Sequence, residues 1–450
     1  MRSTATIGTG ASRATRTRSG RRRGASDTPL TPPVIADAAG PNAAKHAAAD
    51  LPRVEAASAT LARLRTLLPT IGATRLSMVT GLDVVGIPVA MVCRPNSRSL
   101  SVAQGKGVDD DAAKVSAIGE SLESWHAETV LHPLRLATHR ELAASEPVVD
   151  PAGLPTTTTS TFHPDQTILW VEGHDILADE PAFLPYELVH LDHRVPRPPG
   201  SGAFLNTSTG LASGSHLLEA VSHGLCEVVE RDALTLWEAA APSDQSRRRV
   251  DLATVDDPVC RRLLERYWHA DVDVAAWDLT TDIGLATFMV MAADRDRDPA
   301  RPVPAVAGFG CHPSRGVALV RALTEAAQSR LTIIVGSRDD RSPAGHEAIR
   351  AGTRFEQHSA QVRRVGPPAR AFDEVPDYPS PAVDDDVALT LDRLRAVGVR
   401  RVVLVDLTRP DIDVPVVRMV VPGLEGYTQR PTYRPGPRAR AAATRAEAAR

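Results

Sequence analysis

Three long helical segments with polar stripes among apolar residues constrain the fold of this chain more than any other feature. The spacing predicts helices over residues 110–131, 213–241 and 314–335. At about 100° per residue, positions four, seven or eleven residues apart share one helical face. The residues aligned in this way are Ser116, Glu120 and Glu123; Ser215, Glu219 and Glu230, with Glu227 near the stripe; and Arg321, Glu325 and Gln328. The chain must therefore either expose three acidic faces to solvent or gather them around cations.

Spacing alone leaves both interpretations of these stripes open. Charges at i, i+4 are common on the solvated faces of amphipathic helices. Carboxylates flanked by leucine and valine, however, repel each other and are costly to desolvate without partners. Mg²⁺ prefers oxygen ligands and often bridges carboxylates to nucleotide phosphates, and arginines such as Arg231 and Arg321 suit phosphate oxygens. The second interpretation is thus an acidic site for a metal–nucleotide complex.

Short β-rich segments alternate with the helices. They cover residues 83–94, 167–172, 271–279, 288–292, 402–407 and 414–421. This alternation predicts an α/β fold of mixed, α+β character, and 42% hydrophobic residues are enough for a large core. We predict one domain over residues 49–429. It is flanked by a disordered basic tail at 1–48, rich in Arg, Ser, Thr and Pro, and a low-complexity Arg/Ala-rich tail at 430–450.

The net charge of −3 is unevenly distributed. Residues 1–26 hold seven arginines and no acid, and residues 430–450 hold six arginines and one glutamate, so the part between them carries −15. Such an acidic body predicts no nucleic-acid partner, because phosphate contacts need clustered positive charge. The sequence has no run of about 18 apolar residues and predicts no membrane span. Four scattered cysteines without a CxxC pair favour a reducing, cytoplasmic location over a zinc site or a disulfide framework.

Lysine is rare in this chain, with three lysines against 49 arginines. Lys106 stands between two glycines in the segment QGKG, where it is either a turn residue or a ligand for a phosphate or carboxylate. The absence of a GxxxxGK[ST] motif excludes a P-loop enzyme. Cys226 and Cys311 lack a Cys/His signature and are predicted to lie in the core. His223 is predicted to be structural.

Three motifs, occurring in order, resemble the signatures of the YcaO family. The segment SAIGESLESW resembles Ser-Ala-x-x-Glu-x-x-Glu. The segment STGLASGSHLLEAVSHGLCEVVERDA resembles Gly-(Asn)-x-x-x-Glu-Ala followed by Glu-x-x-Glu-Arg-Asp-Ala, and VALVRALTEAAQSRL resembles Ala-Leu-x-Arg-Ala-Leu-x-Glu-x-x-Gln-Ser-Arg. With TGLDVVGIPV and QGKG in the upstream flank, the resemblance extends from Ile71 to Pro437.

The resemblance implies a YcaO-type fold and an ATP- and Mg²⁺-dependent enzyme that activates peptide backbone amides, commonly as a homodimer. In this family a nucleophile adds to the amide carbonyl, and ATP phosphorylates the resulting oxygen, which then leaves as phosphate. A Cys, Ser or Thr side chain as nucleophile gives an azoline, and external sulfide gives a thioamide. Phosphorylation is needed because an amide oxygen is a very poor leaving group.

The resemblance also implies roles for individual residues. The expected Mg²⁺ ligands are Glu120, Glu123, Glu219, Glu227, Glu230 and Glu325. The expected nucleotide contacts are Ser116, Lys106, Arg75, Ser215, Arg231, Arg321 and Gln328. The expected catalytic residues are Glu230, Arg231 and Arg321. Ser215 stands where the family usually has Asn, so its contact has a shorter reach.

The C-terminal region bears on the product. Azoline-forming members tend to end in Pro-x-Pro-x-Pro, whereas this chain shows VVPGLEGY and then PTYRPGPRARAAATRAEAAR. It is more similar to members that work with a TfuA-like partner in backbone thioamidation, and with no obvious fused leader-peptide-binding domain we expect another protein to capture the peptide. We predict thioamide formation in ribosomal peptide modification. The alternatives are an azoline-forming cyclodehydratase and a non-catalytic scaffold that binds a partner enzyme.

Overall fold

Three antiparallel sheets form the framework of the protein. The computed structural model describes residues 44–46, 53–296, 303–337, 362, 370–426 and 432–448. The strands are β1 (Arg75–Met78), β2 (Val89–Cys93), β3 (Val102–Lys106), β4 (Leu134–Thr138), β5 (Thr167–Asp175), β6 (Glu180–Pro185), β7 (Leu211–Ser213), β8 (Arg249–Val250), β9 (Val272–Asp278), β10 (Ala286–Asp294), β11 (Val306–His312), β12 (Val403–Asp406) and β13 (Val416–Val420). Their orders are β1-β2-β3, β11-β10-β9-β8 and β4-β5-β12-β13-β7, with β6 also paired to β5.

The helices pack against these sheets. They are α1 (Ala57–Arg65), α2 (Asp110–Ala127), α3 (His139–Leu142), α4 (Leu217–Ala239), α5 (Pro242–Arg247), α6 (Pro258–His269), α7 (Arg315–Val335), α8 (Val383–Ala396) and α9 (Pro437–Ala448). Helices α2, α4 and α7 confirm the three predicted helices, and the mixed fold class is confirmed as well. The predicted start of α4 was wrong, because residues 211–213 pair with β13 as strand β7. The helix begins only after His216, whose side chain accepts a hydrogen bond from Leu218 N at 3.2 Å.

The three long helices connect the three sheets into a ring. Helix α2 packs on β2 and β3 and also contacts β7 of the next sheet. Helix α4 packs on β13 and β7 and contacts β11, and helix α7 packs on β10 and β11 and contacts β3. Each helix therefore lies on one sheet and meets the edge of the next. The polar stripes of all three helices can face a common centre in this arrangement.

Glycines in strands β3 and β11 allow the helices to approach closely. A Cβ atom on Gly105 of β3 would lie 1.9 Å from the backbone nitrogen of Ala117 in α2. A Cβ atom on Gly310 of β11 would lie 2.1 Å from the carbonyl oxygen of Ala318 in α7. Because side chains alternate along a strand, Lys106, which follows Gly105 in β3, points to the opposite face from α2. The glycines of QGKG thus serve helix packing, and Lys106 is directed away from that contact.

The C-terminal segment, predicted as a low-complexity Arg/Ala-rich tail, includes a helix. Helix α9 buries Ala439 and packs against α4. Arg438 pairs with the buried carboxylate of Asp232 at 3.0 Å, and Glu425 accepts a hydrogen bond from Ala439 N at 2.8 Å. Alanine has the highest helix propensity, so an Ala/Arg-rich composition supports a helix once tertiary contacts anchor it. The predicted tail at 1–48 lies outside the described residues, apart from 44–46.

None of the described helices combines the length and the apolar character needed to cross a bilayer. The cysteines Cys226 and Cys311 are buried in the core, as predicted.

Candidate active site

A cavity of about 1290 Å³ is lined by residues from α2, α4 and α7. Eleven of the thirteen residues expected at the site contribute to its lining. They are Lys106, Ser116, Glu120, Glu123, Ser215, Glu227, Glu230, Arg231, Arg321, Glu325 and Gln328. The polar stripes therefore face each other across an internal space, and the alternative of three solvated outer faces does not describe these residues.

Lys106 links strand β3 of the first sheet to helix α7, which packs on the second sheet. Its Nζ lies 2.7 Å from Oε2 of Glu325 on α7, and both side chains are only about a fifth exposed, at 23% and 22%. Burial acts to lower the pKa of Lys106, but the carboxylates of Glu325, Glu120 and Glu230 outweigh it and the pKa is raised. The lysine is thus a fixed positive charge among carboxylates.

Glu123 is held by the end of strand β7. Its Oε1 accepts hydrogen bonds from the Ser213 backbone N at 2.8 Å and from Ser213 Oγ at 2.7 Å. Burial raises the pKa of Glu123 to about 8, and the neighbouring carboxylates of Glu120 and Glu227 add to this rise. Glu227 in turn accepts a hydrogen bond from Gly210 N at 3.1 Å. The backbone therefore orients both carboxylates, and the raised pKa of Glu123 indicates too little positive charge beside that carboxylate.

Glu230 lies on α4 opposite Glu325. Arg231 approaches Glu230 and Glu227 at 3.6 and 3.5 Å, which is too far for strong hydrogen bonds. Burial, together with the carboxylates of Glu325 and Glu227, raises the pKa of Glu230 to about 7. For Glu325, burial acts in the same direction, but Lys106 and Arg231 outweigh it and its pKa is lowered. Additional cations would stabilise the ionised form of Glu230.

The two other expected residues on α7 bind strand backbones. Arg321 donates a hydrogen bond to the carbonyl oxygen of Cys311 on β11 at 3.0 Å. Gln328 donates to the carbonyl oxygen of Gln104 on β3 at 2.5 Å. Both strands lie at the edges of their sheets as described. Arg321 and Gln328 therefore bind carbonyl oxygens of edge strands and also line the cavity.

Two expected residues do not line the cavity. Arg75 is exposed at the start of β1, which is separated from the lysine-bearing strand β3 by β2. Glu219 directs its carboxylate away: Oε1 accepts from Val54 N at 2.6 Å and Oε2 from Ser215 N at 2.9 Å. Glu219 therefore holds two backbone segments together through its hydrogen bonds. Ser215 does line the cavity, and its hydroxyl contacts Thr60 Oγ1 at 3.2 Å.

Sequence reasoning missed several cavity residues. Arg53 and Arg63 line the cavity, but nothing in the sequence distinguishes them from the other arginines. His223 was predicted to be structural, yet its side chain is exposed to the cavity. The cavity is enclosed by protein, so His223 is desolvated although its side chain is open to the cavity, and this desolvation, with Arg321, Arg53 and Lys106 nearby, holds the pKa of His223 well below its usual value. Its place on the α4 stripe beside Glu219 and Glu230 was the signal that could have found it.

The donor set fits Mg²⁺ bound together with phosphates. Among the residues that the structure describes, no three carboxylate, histidine or cysteine side chains are close enough to hold a metal by themselves. Mg²⁺ is usually bound by one or two carboxylates, with substrate phosphates and water completing its octahedral shell. The high pKa values of Glu123 and Glu230 show that these carboxyls need further positive charge. The cavity also offers Lys106 as a cation for phosphate oxygens.

Binding of Mg-ATP is expected to release protons near neutral pH. Glu123 and Glu230, with pKa values of about 8 and about 7, are partly protonated there, and a cation binds their ionised forms. Affinity for Mg-ATP should therefore rise from pH 6 to pH 9. Isothermal titration calorimetry in PIPES and in Tris, which differ in ionisation heat, measures the protons released. The double variant Glu123→Gln/Glu230→Gln should release fewer; equal release by both proteins would refute the assignment.

Stability of the ligand-free protein should show the opposite trend with pH. A carboxyl whose folded pKa exceeds its unfolded pKa stabilises the folded state below the unfolded pKa, and that stability is lost as pH rises through the folded pKa. From Glu123 and Glu230 we expect the free energy of unfolding to fall between about pH 4.5 and 8. Urea denaturation across this range checks the sign, and the double variant should show a weaker decline.

The family comparison agrees with the geometry. The family model described as "YcaO cyclodehydratase", ATP- and Mg²⁺-binding, matches residues 104–425. The chain therefore belongs to the YcaO family, whose members are ATP-dependent enzymes that modify peptides. Its cofactors are ATP and Mg²⁺.

Relatives support this membership, and solved structures share the fold. An "Uncharacterized protein in tfuA 3'region" of Rhizobium leguminosarum bv. trifolii is 39% identical over 373 residues, covering 81% of this chain and 87% of the relative. An "Uncharacterized protein" of Methanothermobacter thermautotrophicus is 34% identical over 392 residues, covering 84% and 97%. "The structure of YcaO from Methanopyrus kandleri bound with AMPPCP and Mg2+" shares the fold with a TM-score of 0.68 and 22% identity, over 88% of this chain and 99% of that chain.

A second solved structure is larger than this chain. It is a "Heterocyclase in complex with substrate and Cofactor", with a TM-score of 0.70 and 22% identity. The similarity covers 85% of this chain and 54% of the heterocyclase. This chain thus spans about half the length of that protein, and the likeness shows a common fold.

Proposed function

We propose that this protein phosphorylates the oxygen of peptide backbone amides and forms thioamides. The observation that carries this proposal is the cavity itself, where carboxylates of α2, α4 and α7 face Lys106, Arg231 and Arg321. Carboxylates that need a cation, next to fixed positive charges, are the arrangement that phosphoryl transfer requires. A YcaO-family fold and ATP and Mg²⁺ as cofactors are consistent with it.

The roles of individual residues follow from their positions. Glu120, Glu123, Glu227, Glu230 and Glu325 are the ones that would hold Mg²⁺. ATP, when bound with Mg²⁺, supplies the phosphoryl group that turns the amide oxygen into a leaving group. Arg231 and Arg321 would bind phosphate oxygens, with Ser116 and Ser215 as polar contacts on α2 and before α4. Glu219 orders the backbone before α4, which positions Ser215.

Lys106 would balance the charge of the site before and after phosphoryl transfer. It already neutralises Glu325 and lies among the carboxylates of α2 and α4. Since its ammonium group is held by β3 rather than by a flexible loop, little reorganisation is needed as charge develops on the transferred group. Gln328 holds β3 in register beside α7 through the Gln104 carbonyl.

A thioamide product is favoured by the relative encoded in a tfuA region, which is 39% identical to this chain. We infer that a TfuA-like protein is the partner. Helix α9 is anchored on α4 through Asp232, and none of its described residues lines the cavity. Its Arg438 also pairs with Asp282 at 2.5 Å.

Azoline formation is the second candidate function. The family description names a cyclodehydratase, and the fold is shared with a heterocyclase. In that reaction a Cys, Ser or Thr side chain of the peptide replaces external sulfide as the nucleophile, and the same cavity would activate the amide.

Mass spectrometry distinguishes these functions. The protein is incubated with Mg-ATP, sulfide, a TfuA-like protein and a pool of synthetic 12-residue peptides with Gly, Cys, Ser or Thr at the centre. A gain of about 16 Da marks oxygen-to-sulfur exchange, and a loss of about 18 Da marks cyclodehydration. We expect the gain, with ATP consumed only when peptide is present. If neither mass change occurs and no nucleotide binds, only the non-catalytic scaffold remains as an alternative.

A further inference from the structure

Within the part of the chain that the structure describes, strand β11 is an edge strand of its sheet, and it borders the cavity. It pairs with β10, and the order β11-β10-β9-β8 places it at one end. The residues Pro304, Ala305, Val306 and Ala307 line the cavity. Ala307 is also the one residue of β11 that is not buried. The beginning of an edge strand is therefore open to the space where the substrate must lie.

The hydrogen-bond register shows which backbone groups of β11 point outward. Thr287 O accepts from Leu279 N at 2.7 Å, so the Thr287 backbone faces the β9 side. Cys311 lies opposite Thr287, and its N–H and C=O must therefore point away from β10. Because the pattern repeats every second residue, Phe309 and Ala307 also direct their N–H and C=O groups outward.

Two site residues already occupy part of this edge. Arg321 donates to the outward carbonyl of Cys311 at 3.0 Å. The outward N–H of Phe309 lies near the Glu325 carboxylate and contributes to lowering its pKa. The residues that would hold Mg²⁺ and phosphate are thus attached to the same line of backbone groups. The next outward pair along the strand is the N–H and C=O of Ala307.

We propose that the peptide substrate binds in extended conformation to the β11 edge and exchanges hydrogen bonds with Ala307 N–H and C=O. Strand addition of this kind reads the peptide backbone largely independently of side chains. Phe309 lies two residues, about 7 Å, beyond Ala307, so a peptide amide one or two residues past the docked position lies beside Glu325. This inference rests on the proposed function, because it assumes a peptide substrate.

The dimensions and composition of the cavity suit a second ligand beside the nucleotide. Its volume of about 1290 Å³ exceeds the range of about 300–1,000 Å³ that holds one small molecule. The side chains of Ala305 and Ala307 are small, which allows another backbone to approach the strand. The cationic groups proposed to bind phosphates, Lys106, Arg231 and Arg321, lie on β3, α4 and α7.

The variant Ala307→Pro tests whether the outward N–H of Ala307 binds the peptide. Proline removes the outward N–H, and edge strands tolerate it where that N–H does not belong to the ladder. Ala307→Ser keeps the N–H and serves as the matched control. Peptides from the synthetic pool that bind the wild type are labelled with fluorescein, and their affinity is measured by anisotropy. We expect Ala307→Pro to weaken peptide binding by about tenfold or more. Mg-ATP affinity and melting temperature should stay unchanged.

A substrate-side experiment uses the wild-type protein and covers the case in which Ala307→Pro fails to fold. Single amide-to-ester replacements are scanned along a bound peptide, which removes one N–H at a time. The largest loss of affinity should occur one or two residues from the modified amide. Equal affinity of wild type and a folded Ala307→Pro, a flat ester scan, or no peptide binding by the wild type would overturn the proposal. If peptide binding depends on Ala307 but the peptide mass does not change, the proposed reaction is refuted and the proposed binding to the β11 edge stands.

Discussion

Replacing Glu230 by glutamine is expected to reduce Mg-ATP-dependent peptide modification by at least about 100-fold, the scale of losing one electrostatic contact in a transition state. The change keeps the shape of the side chain and removes its charge, which lies between Arg231, Lys106 and Glu325. Rates are compared by the peptide mass change at saturating Mg-ATP and peptide. Because the pKa of Glu230 is raised to about 7, its ionised form destabilises the ligand-free fold. The variant should therefore be at least as stable as the wild type above pH 7.

Glu238→Gln is the matched control for this prediction. Glu238 lies on the same helix, α4, but is exposed and does not line the cavity. Its replacement should leave the rate unchanged. Unaltered activity of Glu230→Gln would remove this residue from the reaction. A loss of activity accompanied by a large loss of stability would show that Glu230 acts through the fold.

Replacing Asp83 by alanine should cost about 3–5 kcal/mol of unfolding free energy, as expected when a buried ion pair loses one partner. Arg330 on α7 is completely buried and forms a bidentate contact with Asp83 at 2.7 and 2.9 Å. Asp294 at the end of β10 lies 2.8 Å from the same guanidinium. Without Asp83, Asp294 is the one carboxylate that remains beside this buried cation among the described residues. Urea denaturation followed by circular dichroism measures the loss.

An exposed ion pair provides the comparison for Asp83. Asp165 contacts Arg140 at 2.6 Å, with both side chains largely in solvent. Asp165→Asn should leave the urea midpoint nearly unchanged, since screening and side-chain entropy offset exposed pairs. If Asp83→Ala is no more destabilising than Asp165→Asn, the buried triad does not hold α7 against the first sheet. Loss of activity in Asp83→Ala at temperatures where it remains folded would link the triad to the site.

The sequence could predict the three site helices because their signal is local. Spacing placed Glu120, Glu123, Glu230 and Glu325 on polar stripes, and the apolar neighbours suggested that the stripes are covered. The structure brings these residues to one cavity. Lys106 was singled out by the rarity of lysine, and it does meet a carboxylate.

Other features depend on contacts between segments that are distant in the chain, and such contacts cannot be inferred from local patterns in a single sequence. The role of Glu219 follows from Val54 N, 165 residues away in the chain, so helical spacing alone could not separate it from cavity-lining glutamates. The outward direction of the Ala307 backbone N–H and C=O is likewise set by the register of β11 with β10. In the C-terminal region, composition indicated low complexity, whereas the ion pair of Arg438 with Asp232 fixes a helix.

The ring formed by α2, α4 and α7 has a thermodynamic consequence. A ligand in the central cavity contacts elements from all three sheets, so its binding free energy is shared by the whole domain rather than by one part. At ligand concentrations 100 times the dissociation constant, this linkage adds about 2.7 kcal/mol to stability. Mg-ATP should accordingly shift a single unfolding transition upward as a unit, and a fragment lacking any one of the three sheets should gain no such protection.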